Sequence, residues 1–467
     1  MSENHFDVVV IGGGPGGYAS ALYGASAGLN IAIIEYNKLG GTCLNVGCIP
    51  AKELLEVAAV YRTVSHASEF GVLAEANGLD WNRVMERKQG IIDQLVGGVG
   101  SLLKMRKVTV FDGTGTLGSD HRTVSISGGE SGDVKITGDA VILAAGSQAR
   151  TIPNFPIDDH RIVTSTEMLS IPDLPTSAVV IGGGAIGCEF ASMMSDLGTK
   201  VTIIEAAPNI LLSTDVDCRK VVERSFKKRR IDIHTGVMVT GQETTPEGVT
   251  VFFGEGQQVT ADTVVVSIGR RPASETLGLD KTQVQVDERG HVEADPLGRT
   301  NVEGVWAVGD ITNSAQLAHV AFIEGMNAIK DILGEEVTPI DYDSVPWCVY
   351  CHPEVAFAGL TEEQAKERGL EVVVSKHRYA ANGRAMIVGE TEGLVKVVAE
   401  RLPDGTGGRI LGVHMAGPWV TEQLGQGYLA VNWEATVDEA AAFIQPHPTL
   451  SETFGETVLA LTGRSLH

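Results

Sequence analysis

Two of the six cysteines, Cys43 and Cys48, stand five residues apart in the run 40–52. Five residues of regular helix rise about 7.5 Å, whereas an unstrained disulfide holds its Cα atoms roughly 4.4–6.8 Å apart. A bridge between these cysteines therefore needs a bent backbone, which Gly47 can supply. Such a bridge is easily reduced, and a thiolate at a helix start is favoured by the helix dipole. The spacing favours a redox-active pair. Two buried, unpaired cysteines are the alternative. A zinc site is disfavoured, because it needs four ligands and no second Cys/His pair lies near in the sequence.

A candidate general base lies near the end of the chain. His447 is flanked by two prolines, and Glu452 follows five residues later, where a helix running to Ala460 is predicted to begin. A carboxylate that accepts the imidazole Nδ1–H leaves Nε2 free to take a proton from a thiol. The pattern predicts a base and the group that orients it. A solvated surface histidine is the alternative.

A glycine-rich dinucleotide fingerprint opens the chain. A short apolar strand over residues 7–11 precedes Gly12, Gly14 and Gly17, a helix is predicted after them, and the next strand ends at Glu35. The first glycine permits a tight turn, the second lets a pyrophosphate approach, and the third lets helix and strand pack closely. The pyrophosphate then faces the helix N-terminus, and the acid can bind a ribose hydroxyl.

The same unit recurs in the middle of the chain, as Gly182, Gly184, Gly187 and Glu205. The distance from first glycine to acid is 23 residues in both copies. Two units predict two dinucleotides. Because the cysteine pair follows the first copy, we expect a flavin dinucleotide there and a nicotinamide dinucleotide at the second. A carboxylate at Glu205 favours the 2′-hydroxyl of NAD over the 2′-phosphate of NADP.

Composition limits the kind of protein. The 467 residues suggest about three domains, and 59 acidic against 36 basic residues give a net charge of −23. This charge disfavours a nucleic-acid binder or an anionic membrane surface and suits docking on a basic partner. Residues 1–7 show no signal-peptide pattern, and no apolar run reaches the length of a membrane span. A cytoplasmic location is expected, where a cysteine pair is more often catalytic than structural.

The run Gly-Gly-Thr-Cys-Leu-Asn-Val-Gly-Cys-Ile-Pro-Ala-Lys over residues 40–52 resembles the redox-active segment of the pyridine nucleotide–disulfide oxidoreductases, above all the dihydrolipoamide dehydrogenases. The resemblance implies that Cys48 faces the flavin as a thiolate and that Cys43 exchanges with the substrate disulfide. It also implies that Lys52 pairs with Glu189 near the flavin. For these two residues, solvated side chains are the alternative. Ala51 departs from the usual serine.

Other segments carry the same resemblance. They are residues 140–147, 263–272, 300–310, 317–319, 346–362 and 445–452. Three residues differ from those usual in the family: Ala145 replaces Thr, Gln445 replaces His and Pro446 replaces Ala. Their effects on the reaction rate and on substrate choice are left open. Cys348 and Cys351 form a CxxC, which a strand would place on opposite faces, so a structural role is favoured over a redox or metal role.

The resemblance and the fingerprints together imply the cofactor ligands. For FAD these are Gly12, Gly14, Gly17, Glu35, Thr42, Lys52, Gly115, Gly146, Asp310 and Ala318. For NAD they are Gly182, Gly184, Gly187, Glu205, Val237 and Gly269. No metal is expected.

The resulting prediction is an α/β fold with two Rossmann-like domains, one for FAD and one for NAD, and a C-terminal α+β dimerisation domain. The predicted parts are residues 1–150 (first FAD part), 151–271 (NAD), 272–345 (second, central FAD part) and 346–467 (dimerisation). The resemblance implies a homodimer in which His447 acts on the cysteine pair of the other subunit.

The implied activity is oxidation of dihydrolipoamide, free or on a lipoylated carrier domain, with NAD⁺ as acceptor. The protein is expected to serve a 2-oxoacid dehydrogenase or glycine cleavage complex, and the sequence does not distinguish between them. One alternative is another NAD(P)H-dependent FAD disulfide reductase acting on a low-molecular-weight thiol. Glu205 disfavours those reductases of this kind that use NADPH. The other is a non-catalytic flavoprotein subunit, which the intact Cys43, Cys48, Lys52, His447 and Glu452 disfavour.

Overall fold

The computed structural model describes residues 4–129 and 132–466. The first part of the chain forms a sheet covered by helices. Its elements are β1 His5–Ile11, α1 Pro15–Ser26, β2 Ile31–Glu35, α2 Gly41–Val46, α3 Cys48–Ser65, α4 Trp81–Met105, β3 Thr109–Asp112, β4 Thr114–Leu117, β5 Thr123–Ser127, β6 Val134–Leu143 and β7 Ser147–Ala149. The strand order is β3-β2-β1-β6-β5-β4, with β1 parallel to β2 and β6. Val8, Val9 and Val10 of β1 are fully buried, as in a parallel sheet with both faces covered.

The middle of the chain forms a second parallel sheet. Its elements are β8 Ile162–Thr164, α5 Ser165–Met168, β9 Ser177–Ile181, α6 Ala185–Asp196, β10 Lys200–Glu205, α7 Val216–Lys228, β11 Asp232–Thr235, β12 Val239–Thr245, β13 Gly248–Phe253, β14 Gln257–Ala261, β15 Thr263–Val266 and β16 Arg270–Pro272. The order is β11-β10-β9-β15-β8, with β12-β13-β14 as a separate antiparallel sheet. Strands β7 and β16 pair antiparallel where the chain leaves and re-enters the first sheet.

After this excursion the chain returns to the first sheet. Strand β17, Val305–Ala307, lies parallel to β6, and α8, Ala318–Ile332, packs against α1. A 3₁₀ turn over Gly309–Ile311 connects them. The first sheet is therefore assembled from two separated parts of the chain.

The C-terminal part forms an antiparallel sheet with helices. Its elements are β18 Trp347–Val349, β19 Glu354–Gly359, α9 Glu362–Glu367, β20 Val372–Arg378, α10 Gly383–Val388, β21 Leu394–Arg401, β22 Gly407–Gly417, α11 Val420–Asn432, α12 Val437–Ala441 and α13 Glu452–Leu461. The order is β18-β19-β22-β21-β20. The predicted α/β class with an α+β C-terminal domain is confirmed.

Among residues 4–129 and 132–466, no helix combines the length and apolarity needed to cross a membrane. The expectation of no signal-peptide pattern concerned residues 1–7, of which residues 1–3 lie outside the described part.

Candidate active site

The cysteine pair lies at a break between two helices. Helix α2 ends at Val46 and α3 begins at Cys48, with Gly47 between them at φ −149° and ψ −114°. A Cβ at Gly47 would lie 2.8 Å from the carbonyl oxygen of Thr42. The bend expected at Gly47 is therefore present, and the position has no room for a side chain.

Helix α3 begins two residues before Pro50, because it already includes Cys48 and Ile49. A proline fits the third helical position because the first four N–H groups of a helix have no partner within it. The consequence is that Cys48 itself stands at the helix N-terminus, where a thiolate is stabilised.

The two thiols have different acidities. The Cys43 thiol donates a hydrogen bond to the Cys48 sulfur, which lowers the pKa of Cys48 to about 7 although burial opposes this. The Lys52 ammonium and the main-chain N–H of Cys48 act in the same direction. The same hydrogen bond and burial raise the pKa of Cys43. Cys48 is therefore the sulfur that carries negative charge near neutral pH.

A partly buried ion pair lies beside the cysteines. The Lys52 Nζ on α3 donates to both carboxylate oxygens of Glu189 on α6, at 2.8 and 3.0 Å. The Glu189 side chain is only 8% exposed. Burial opposes the lysine's charge, but Glu189 and the two cysteines raise the pKa of Lys52 above its ordinary value. A fixed cation thus stands next to Cys48.

Both glycine fingerprints have the predicted geometry. A Cβ at Gly17 would collide with the Gly12 carbonyl oxygen, and one at Gly187 with that of Gly182. A Cβ at Gly184 would meet no atom within 4 Å, and one at Gly14 would meet only the Gly41 Cα, at 3.9 Å. A cofactor pyrophosphate fits at each of these helix starts.

The two fingerprint acids are held alike. Glu35 accepts the Gly13 N–H at 2.7 Å and the Asn37 N–H at 2.8 Å. Glu205 accepts the Gly183 N–H at 2.5 Å and the Ala207 N–H at 2.6 Å. These bonds fix each carboxylate at the end of its strand, and a carboxylate oxygen has further lone pairs for a ribose hydroxyl.

A single cavity of about 1140 Å³ joins the two helix starts to the cysteines. Typical small-molecule pockets measure about 300–1,000 Å³, so the volume suits something larger, such as a dinucleotide. The predicted residues that line it are Gly12, Gly14, Glu35, Thr42, Cys43, Cys48, Lys52, Gly115, Gly146, Gly184, Glu189, Gly269, Asp310 and Ala318. The predicted residues outside its lining are Gly17, Gly182, Gly187, Glu205, Val237, His447 and Glu452.

Two groups in this cavity were not singled out from the sequence. Arg270 Nε donates to Ser147 Oγ at 2.7 Å, and Ser147 Oγ donates to Asp310 Oδ2 at 2.5 Å. Burial lowers the pKa of the Arg270 guanidinium, which faces both Asp310 and Cys48. The sequence signal that could have identified Arg270 is the pair of consecutive arginines in the run 269–272. The second group is Tyr350, whose ring lies 4.8 Å from the Lys52 Nζ.

His447 and Glu452 contact each other, but a single chain does not bring them to the cysteines. The His447 Nδ1 lies 2.8 Å from the Glu452 Oε2, at the start of α13 as expected. The imidazole is 77% exposed. The neighbouring residues 448–451 line a separate cleft of about 540 Å³ beside α11.

The remaining cysteines have structural surroundings. Cys188 and Cys218 are fully buried in one hydrophobic cluster. The strand expected to hold both Cys348 and Cys351 is broken, since β18 ends at Val349 and the Cys351 thiol donates to the Pro353 carbonyl oxygen. Pro353 has no N–H for a sheet ladder. The described residues contain no His, Cys, Asp and Glu cluster suited to a metal.

Comparison with known proteins identifies the family. Residues 6–325 match the model of the pyridine nucleotide–disulphide oxidoreductases, and residues 345–458 match the model of their dimerisation domain. A dihydrolipoyl dehydrogenase of Bacillus subtilis is 40% identical over 475 residues, with 99% of each chain covered. One from Zymomonas mobilis is 40% identical over 471 residues, with the same coverage.

Solved structures are similar over the whole chain. The crystal structure of LpdA from Mycobacterium tuberculosis has a TM-score of 0.91 at 25% identity and covers 98% of this chain and 99% of its own. The HOCl-induced flavoprotein disulfide reductase RclA from Escherichia coli has a TM-score of 0.86 at 27% identity, covering 97% and 99%.

These matches confirm the expected enzyme class, the cofactors FAD and NAD, and a homodimeric assembly through the C-terminal domain. The chain belongs to the pyridine nucleotide–disulphide oxidoreductase family.

Proposed function

We propose that this protein oxidises dihydrolipoamide to lipoamide with NAD⁺ as electron acceptor. The observation that carries the proposal is the pair Cys43 and Cys48, with an ionisable Cys48 beside the Lys52–Glu189 ion pair in a cavity reached by both fingerprints. The dithiol substrate is inferred from the curated relatives, which are named dihydrolipoyl dehydrogenase over their full length.

The residues of the chain carry out the dithiol exchange. In the oxidised enzyme, one sulfur of dihydrolipoamide attacks Cys43 of the Cys43–Cys48 disulfide, and Cys48 leaves as a thiolate. The second substrate sulfur then attacks the mixed disulfide at the first substrate sulfur, which closes the lipoamide ring and releases Cys43 as a thiol. The substrate is oxidised by two electrons, which the cysteine pair now holds. A leaving thiolate of low pKa departs faster, and Cys48 has the lower pKa of the two.

The proton of the attacking dithiol goes to His447. Glu452 accepts Nδ1–H and leaves Nε2 as the free basic atom. Because this imidazole is exposed and lies outside the cavity of its own chain, we propose that the partner subunit supplies it. The dimerisation-domain match over residues 345–458, which include His447, supports this arrangement.

When bound, FAD would supply two-electron transfer between the cysteine pair and NAD⁺. Gly12, Gly14, Glu35 and Asp310 would hold it, and Gly184 and Glu205 would hold the nicotinamide dinucleotide. Lys52 holds a positive charge beside the cysteine pair, and Glu189 keeps that lysine ionised.

Three finer assignments belong to the same proposal. The division at residues 151, 272 and 346 is supported by the way the sheets follow the chain. A cytoplasmic location is supported by cysteine use, since the four cysteines outside the redox pair are all free thiols. A lipoylated carrier domain of a 2-oxoacid dehydrogenase or glycine cleavage complex is the expected physiological partner.

The test compares turnover of the purified protein on dihydrolipoamide with NAD⁺ and on low-molecular-weight disulfides with NADH or NADPH. The proposal expects dihydrolipoamide and a lipoylated domain to be the preferred substrates. The Cys43→Ser variant should lose this turnover but keep its bound flavin. A preference for a low-molecular-weight disulfide would instead make the protein a reductase of that compound, and a lack of any thiol turnover would make it a non-catalytic flavoprotein.

A further inference from the structure

The three domains meet at the ammonium of Lys52. Lys52 lies on α3 of the FAD domain, and its partner Glu189 lies on α6 of the NAD domain. The third contact comes from Tyr350, just after β18 of the dimerisation domain, whose ring centroid lies 4.8 Å from the Lys52 Nζ. A cation at this distance from an aromatic face is attracted by the ring quadrupole.

The backbone of the Tyr350 segment is fixed independently of its side chain. The Tyr350 N–H donates to Glu189 Oε1 at 2.9 Å, and the His352 N–H donates to Ser192 Oγ at 2.8 Å. Glu189 and Ser192 are three residues apart and share one face of α6. These two bonds dock the segment on the NAD domain and present the Tyr350 ring to Lys52. A change of the ring alone leaves both bonds possible.

We propose that Tyr350 is a positioning residue through which the dimerisation domain holds the Lys52 ammonium beside Cys48. This inference rests on the proposed function, since it takes Cys48 as the flavin-facing thiolate. The Lys52 ammonium contacts both the Glu189 carboxylate and the Tyr350 ring, and the two contacts together restrict its position. Without the ring, Lys52 is held by Glu189 alone, and its field at Cys48 weakens.

The acidity of Cys48 reports this position. The ionisable groups that face Cys48 are Cys43 on α2, Lys52 on α3, Glu189 on α6, Tyr18 on α1 and Arg270 on β16. Of these, Lys52 is the group that the Tyr350 ring contacts directly. Loss of the ring should therefore raise the pKa of Cys48 from about 7 toward that of an ordinary thiol.

The experiment compares Tyr350→Leu with Tyr350→Phe in the flavin-loaded enzyme. Each protein is reduced anaerobically by two electrons with dithiothreitol, and its long-wavelength thiolate–flavin absorbance is followed from pH 5.5 to 9. Tyr350→Leu, which removes the ring, should raise the pH midpoint of this absorbance by about half a unit. Such a shift corresponds to a roughly threefold lower ratio of thiolate to thiol at pH 7. The phenylalanine variant keeps the ring and should keep the wild-type midpoint.

The outcomes separate this inference from the proposed function. If Tyr350→Leu has the same pH midpoint as the wild type, the inference is overturned but the proposed function is not. An equal shift in Tyr350→Leu and Tyr350→Phe also overturns the inference, because it would assign the effect to the hydroxyl. A wild-type enzyme without any thiolate band overturns the proposed function and the inference with it. If Tyr350→Leu does not bind flavin, Tyr350→Met replaces it, with the same expected shift.

Discussion

Lys52 and Glu189 form a two-bond ion pair, at 2.8 and 3.0 Å, between residues 137 positions apart in the chain. The pair joins the helix that carries Cys48 to the helix that follows the second fingerprint. The lysine charge thereby acts on the redox sulfur, and the lysine itself is kept charged by a carboxylate that is 8% exposed. A cation stabilises a neighbouring thiolate, and this relationship leads to the first prediction.

Replacing Lys52 by Met should raise the pKa of Cys48 above about 7, because the cation that favours the thiolate is removed. The expected shift is about one unit or more. The measurement is the pH midpoint of the thiolate–flavin band in the two-electron-reduced enzyme. Lys104→Met, an exposed change on α4, is the matched control and should leave the midpoint in place. An unchanged midpoint in Lys52→Met would remove the lysine from the acidity of Cys48.

The hydrogen bond from Cys43 is the largest influence on Cys48. Cys48 should be a thiolate above about pH 7 and a thiol below it in the reduced wild-type enzyme. Cys43→Ala deletes the donor and should raise this midpoint. Cys43→Ser retains a hydroxyl donor on a shorter bond that reaches less far toward Cys48, so its midpoint should fall between. Equal midpoints in the wild type and both variants would contradict the assigned hydrogen bond.

Substitution of His447 by Gln should lower turnover of dihydrolipoamide by about 10²–10⁴-fold, the range typical of a general acid–base residue. The same variant should keep the pH midpoint of Cys48 and its oxidation of NADH by an artificial acceptor that needs no thiol exchange. Glu452→Gln should show the same pattern with a smaller loss, since it orients the imidazole. Near-normal dihydrolipoamide turnover in His447→Gln would exclude the histidine from the mechanism.

Cofactor choice is expected to depend on Glu205, which is held at the end of β10 by the N–H groups of Gly183 and Ala207. A carboxylate there repels a 2′-phosphate. The ratio of kcat/KM for NADH to that for NADPH should be well above one, and Glu205→Gln should lower it. A wild-type preference for NADPH would refute this assignment.

Stability should depend on the buried ammonium of Lys396 on β21, which lies 2.8 Å from Asp215 at the start of α7 and 2.9 Å from Asp217. Lys396 is 0% and Asp215 2% exposed. Removing one partner of such a pair typically costs about 3–5 kcal/mol, so Lys396→Met should lower the free energy of unfolding by that order. Lys376→Met, at a lysine that is 47% exposed and pairs with Asp217, should cost about 1 kcal/mol or less. Chemical denaturation at one protein concentration compares the two, and equal losses would contradict the difference in burial.

Much of the fold could be predicted because its signals are local. The strand–glycine–helix units follow from residues within about thirty positions of each other, and the structure keeps the glycine contacts that they imply. The break at Gly47 follows from the spacing of two cysteines. The contact of His447 with Glu452 spans only five residues.

The contacts that the sequence could not give join distant segments. Lys396 and Asp215 are 181 residues apart, and no local pattern marks either one. Tyr350 and Lys52 are distant in the chain, so their contact depends on how the C-terminal sheet packs against helix α3. The prediction that one strand holds both Cys348 and Cys351 was wrong, because Pro353 and the turn before it interrupt an alternating pattern that continues in β19.

The most direct test of the account is an anaerobic titration of the oxidised, flavin-loaded protein with dihydrolipoamide, followed by visible absorbance at pH 8. One equivalent should produce a long-wavelength band from the Cys48 thiolate against the flavin, and Cys48→Ser should give no such band. Direct bleaching of the flavin in the wild type with no band at the two-electron stage, or an identical band in Cys48→Ser, would contradict the account.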